Sequence, residues 1–125
     1  MPVAALLAIA AQALAHHSFA AEYEASKLVS LTGVVTKLDW TNPHVYIYLD
    51  VREQDGNVVH WAVEGHPPNT MRHAGWARDT LKNGDVITVS GWRAKDGSSR
   101  IQGRAVTLPG GRRLLVAPPQ SPAGP

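Results

Sequence analysis

The sequence predicts a mainly β domain: a small barrel of five to six strands with one short helix between the third and fourth. Three observations carry that expectation. From residue 31 onward, short runs alternate apolar and polar side chains, the period of a strand with one buried face. Turn residues separate these runs at hairpin spacing. One stretch, between Pro67 and Lys82, breaks the alternation and reads as helical. With 125 residues, 44% of them hydrophobic and 18% charged, the chain suits one domain with one apolar core and is too short for two.

The first strand is expected over residues 31–40, with Val34, Thr36, Leu38 and Trp40 on one side and Gly33 as a bend point. Thr41-Asn42-Pro43 interrupts it. Residues 44–51 then give the cleanest alternation in the chain: Val45, Ile47, Leu49 and Val51 face the core, while His44, Tyr46, Tyr48 and Asp50 face the other way. Gln54-Asp55-Gly56-Asn57 is a hairpin turn, because Asp-Gly accommodates the backbone angles of tight hairpins. The third strand returns over residues 58–64, with Val59, Trp61 and Val63 inward and His60, Ala62 and Glu64 outward.

Pro67-Pro68-Asn69 ends that strand, and Asn69 is placed to cap a helix over residues 70–74. Residues 76–82 extend the helical region, with Trp76 and Leu81 packing inward. A fourth strand follows at residues 86–93, with Ile87 and Val89 inside, then a fifth at 101–108 and a last short one at 112–116. Three strands, a helix and two or three strands is an order that resembles the OB fold, a small Greek-key barrel. The segment from Leu81 to Trp92, LKNGDVITVSGW, is similar to the corresponding passage of many such barrels.

Composition excludes several classes of function. There is no cysteine, and so no disulfide framework, thiolate metal site or cysteine nucleophile. Twelve Lys and Arg against ten Asp and Glu leave a formal charge of +2, without the clustered positive charge of a nucleic-acid surface. No Gly-x-Ser-x-Gly elbow, phosphate-binding glycine loop or paired carboxylates mark a catalytic centre, so the expectation is a protein that is not an enzyme. Residues 1–15, MPVAALLAIAAQALA, carry no charged side chain and end in small residues, the pattern of a secretory signal peptide cut after Ala15 or after Ala13. A buried or membrane-lying helix is the alternative. The run is shorter than the ~20 apolar residues that cross a bilayer. Residues 16–30 form a lead-in, 31–117 the barrel and 118–125 a disordered tail rich in Pro and Gly.

Several strings identify a resemblance: HHSFAAEY at 16–23, LTGVV at 31–35, WTNPH at 40–44, Gly75-Trp76 followed by RDTLK at 78–82, and Gly84-Asp85. Together they resemble a family of small exported bacterial proteins catalogued as a domain of unknown function, over roughly residues 16–115. The resemblance implies export and no particular activity.

Six histidines in a chain without thiols point to nitrogen ligation: His16, His17, His44, His60, His66 and His73. Imidazole suits copper, zinc and nickel. Cleavage after Ala15 makes His16 the new terminus, whose amine and ring nitrogen chelate one ion while a second imidazole completes a T-shaped copper site. Cleavage after Ala13 puts histidine third, which supplies an amine, two amide nitrogens and an imidazole in one plane. The expected metal ligands are therefore His16, His17 and His44, with copper as the cofactor. Paired histidines behind a leader are equally read as a flexible polar segment, and His44 as a corner histidine bonded to a loop carbonyl. His66 and His73 read as surface residues. A second candidate site is the outward face of strands two and three, where Tyr46, Tyr48, His60 and Glu64 would bind a small organic ligand or cover the barrel surface. The expected partners are a metal ion or small ligand and a periplasmic protein, with no nucleic acid and no membrane span after processing. The expected location is periplasmic or secreted.

Overall fold

The computed structural model describes residues 19–119. Its elements are β1 (Tyr23–Asp39), β2 (Tyr46–Arg52), β3 (Val58–Glu64), α1 (Pro68–His73), β4 (Val86–Ala94), β5 (Arg100–Thr107) and β6 (Arg113–Leu115). A helical turn at residues 19–22 leads into β1. The expected leader (residues 1–15), His16, His17 and the end of the tail lie outside the described residues. Among those described, no helix is long and apolar enough to cross a membrane.

The strands close on themselves. β1 pairs antiparallel with β2, β2 with β3, and β4 with both β1 and β5, while a short parallel pairing of β3 with β5 completes the ring. β6 adds to the outer side of β5. This is the expected OB-like Greek-key barrel, with its short helix between β3 and β4.

β1 is the 17-residue strand that makes closure feasible. Its first part lies on β4 and its second part on β2, and Val34 pairs with both Val86 and Asp50. At the changeover a Cβ on Gly33 would stand 2.5 Å from the Asp50 carbonyl oxygen and 2.9 Å from Val51, so only glycine lets the two backbones approach this closely.

The strand begins eight residues before the expected start at 31. Residues 23–30 show no clean alternation, and their register on β4 is interrupted between Tyr23 and Leu28. The expected facing of the first strand also changes midway. Val35 is fully buried and Val34 is exposed, whereas Leu38 and Trp40, expected on the same side as Val34, turn inward. A β-bulge between Val35 and Lys37 is the reason: one extra residue reverses the side of everything that follows. Thr36 sits in that bulge and its hydroxyl donates to the Tyr48 carbonyl at 3.3 Å.

Inside the ring, Val35, Ile47, Leu49, Trp61, Val63, Ile87, Val89, Ile101 and Val106 form the core, matching the inward sets expected for β2, β3 and β4. α1 contributes Met71, which is fully buried and would meet a Cβ on Gly65 at 2.9 Å. Burial of such a side chain contributes roughly 1.5–3 kcal/mol.

The helix begins and ends differently from the expectation. Pro68 occupies its first turn and no side chain caps it, since a proline at this position has the right φ and no N–H needing a partner. Asn69 is therefore inside the helix. Residues 76–82 are turns rather than helix. Gly75 reverses the chain at φ +99°, and the Thr80 hydroxyl oxygen accepts the Ala77 N–H at 2.7 Å. Trp76 and Leu81 are nonetheless buried as expected, and the Trp76 indole N–H donates to the Leu115 carbonyl at 2.8 Å.

Replacing Gly33 by alanine forces β1 away from the Asp50 backbone. Overpacking of this kind costs about 1–3 kcal/mol, and the expected outcome is a lower midpoint of denaturant unfolding with an unchanged slope.

Candidate functional site

Glu64 ends β3 with outward strand parity, yet it is the one charged residue among those described that is buried. Its surroundings explain this. Register across the outer face places Tyr46, Glu64, Gln102 and Trp92 side by side on β2, β3, β5 and β4. The chain from Phe19 to Ala25 lies over this row, and the space between cover and sheet is a cavity of about 710 Å³, within the size range of small-molecule sites. Phe19, Tyr23, His44, Glu64, His66 and Trp92 provide most of its functional wall.

Two groups hold the Glu64 carboxylate. The Tyr23 hydroxyl donates to Oε2 from 41 residues away in the chain. His44 Nδ1 lies 2.8 Å from Oε1, so with Nδ1–H as donor the neutral ring carries its lone pair on Nε2. These bonds answer the cost of burying a carboxylate, which is severe without partners. The ring of His44 is 42% exposed, so its other nitrogen is within reach of a ligand.

The remaining titratable groups are tuned by the same cover. Burial, and then the hydrogen bond to Glu64, raises the Tyr23 phenol far above its ordinary value. Burial also raises Tyr46, with the charge of Glu64 adding to it. Both hydroxyls therefore remain protonated donors. His66 moves the other way: burial lowers it, His44 lowers it further and Glu64 opposes the change. The β2–β3 ladder continues past the strand ends through the Val45 N–H to the His66 carbonyl (2.9 Å) and the Gly65 N–H to the Val45 carbonyl (2.7 Å). That extension brings His44 and His66 to one pocket wall.

The sequence-predicted residues separate into two places. His44, Glu64 and Tyr46 belong to the pocket region. Tyr48 and His60 line a different, more open depression of about 500 Å³ with Thr36, Lys37, Asp50 and Ala62. Pairing His60 with Glu64 in one site is thus corrected: His60 is bonded to Asp50, the residue opposite it on β2. Glu64 is not an exposed strand polar group, because Tyr23 covers it. His44 bonds a carboxylate rather than a loop carbonyl. His66 lines the pocket instead of lying on open surface, while His73 is exposed as expected. Among the described residues no group of three His, Asp or Glu side chains can hold a metal ion.

Phe19, Tyr23 and Trp92 were not candidates from sequence. Phe19 stacks on Tyr23 at 5.7 Å and meets Trp92 edge-on at 5.6 Å and 90°. Their one signal was local, the recurrence of aromatics four apart at positions 19 and 23.

Fold and site together define a small closed β barrel with a partly enclosed polar and aromatic pocket on its outer face. The chain belongs to DUF6152, a family of unknown function, whose match covers residues 5–103. No curated protein and no solved structure matches the chain.

The lowered His66 has a consequence for stability. A histidine held below its ordinary value of about 6.5 binds fewer protons folded than unfolded, so stability falls as pH drops below that value toward the folded pKa. His66→Gln is expected to flatten this acid limb, measured as the change in unfolding midpoint with pH for both proteins.

Proposed function

We propose that the protein is an exported, non-catalytic binding module that holds a transition metal ion, copper foremost, at the mouth of the Glu64 pocket. His44 supplies a ligand from the barrel. His16, His17 and the amine freed by leader removal supply the others.

The observation that supports this most is the His44–Glu64 pair. A carboxylate on Nδ1 fixes the imidazole plane and leaves Nε2 outward, the relation by which outer carboxylates orient metal-binding histidines. Phe19 lines the same pocket as His44, and two peptide units bring His17 no more than about 7 Å from it along the chain. The described residues contain no complete ligand set, and under this reading the remaining ligands come from the preceding histidines. Imidazole and amine donors without thiolate favour Cu(II) over harder cations.

Copper titration of the processed protein, followed by its visible absorption, tests the reading. His16→Ala, His17→Ala and His44→Ala are each expected to weaken binding, and Glu64→Gln to weaken it roughly 10–100-fold through loss of ring orientation. Unchanged affinity in all three histidine variants rejects the site. Mass spectrometry of exported protein is expected to find a terminus at His16 or Leu14.

A second reading rests on Tyr46 and Tyr48, whose rings stack at 6.2 Å and 19°. It makes the β2–β3 face a metal-free surface for a small organic ligand or a periplasmic protein. Loss of partner capture in Tyr48→Ala, with copper affinity unchanged in every histidine variant, would favour it.

A further inference from the structure

The cavity is far larger than one metal ion requires, and its other wall has a chemistry of its own. Phe19 and Trp92 stand perpendicular, with ring centres 5.6 Å apart. Glu22 and Glu64 line the same space, and among the described residues no lysine or arginine does. We propose that this aromatic corner binds a small organic cation, an alkylammonium group seated against Trp92 and Phe19 and neutralised by the neighbouring carboxylates.

The rest of the barrel shows how its aromatic rings are used. Guanidinium groups lie over Trp40, Trp61 and Tyr23, from Arg72, Arg93 and Arg100 at 5.8, 4.9 and 5.3 Å. Among the described residues, no such internal cation lies over Trp92 or Phe19. Both residues line the cavity, and with Phe19 already stacked on Tyr23 it is the Trp92 indole that would take most of the attraction for a cation from outside. Desolvation by the covering segment strengthens that attraction relative to an exposed ring. His66, held toward its neutral form by burial, adds no opposing charge. Tyr23 contributes shape only, because Phe19 stacks on it and Arg100 lies over its ring.

The inference does not depend on the metal site, and its test runs in the presence of a chelator. Binding of choline to the processed protein is measured by calorimetry beside its uncharged isostere, in which a tert-butyl group replaces trimethylammonium. The two have nearly the same shape, so a difference reports the charge. Choline is expected to bind saturably and roughly 3- to 30-fold more tightly than the isostere. Trp92→Leu should remove this preference. Glu22→Gln, at an exposed position that leaves the fold unchanged, should weaken choline and not the isostere. Vesicles of phosphatidylcholine, competed by free choline, distinguish a lipid headgroup from a soluble amine as the source. Equal binding of choline and isostere, or no saturation by either in the tens of millimolar, overturns the proposal. No copper binding by the processed, unsubstituted protein, with the choline preference intact, would reject the metal reading and leave this one standing.

Discussion

The double use of β1 is the constraint on which the rest depends. A five-stranded ring needs one strand to satisfy the open edges of two others, and β1 does so by lying first on β4 and then on β2. Gly33 permits the changeover. The bulge after Val35 then restores the inward facing of Leu38 and Trp40. The strand starts far out on β4, at Tyr23 opposite Ala94, and its beginning lies across the outer face of the barrel. Tyr23 thereby arrives over the end of β3, and an otherwise exposed Glu64 becomes a buried carboxylate. The same strand that closes the barrel thus also covers the pocket.

Stability does not account for Glu64. A buried charge, even well paired, contributes little net stability compared with an apolar side chain of similar volume. What the carboxylate does contribute is orientation, since its two oxygens fix the Tyr23 hydroxyl and the His44 ring simultaneously. A ring held at Nδ1 can offer Nε2 in one direction without the entropy loss that a free rotor would incur on binding. The carboxylate thus holds the orientation of both partners, and its cost is met by the large apolar core beneath it.

Much of this was legible in the sequence, and the failures share one cause. β3 was expected at the bounds observed, because its alternation is regular and both flanks carry turn residues. The inward sets of β2 and β4 followed from the same periodicity. Residues 23–30 escaped notice because their side chains are mainly exposed and their strand is defined by backbone pairing, which no periodicity records. The bulge at Thr36 puts Leu38 and Trp40 on the opposite side from Val34 without any residue to announce it. Glu64 is the most instructive case: its outward parity was read correctly, but burial came from Tyr23, 41 positions earlier. Likewise Asp50, not Glu64, received His60, because cross-strand register decides partners and spacing along one strand does not.

Under the proposed function, the covering segment would also connect processing to recognition. Phe19, the first described residue, packs against Tyr23 and Trp92 and lines the pocket. If the chain begins at His16, only three peptide bonds separate its amine from Phe19, a reach of about 11 Å, and the effective concentration of amine and imidazole at His44 is correspondingly high. With a leader still attached, the same point carries a neutral amide and a run of apolar residues, and the chelating amine does not exist. The Glu64–His44 pair belongs to the barrel, outside the segment that would be removed. Under the proposed function, therefore, a cut outside the folded domain changes the donor chemistry of the site while leaving its architecture alone, and metal affinity becomes a property acquired on export.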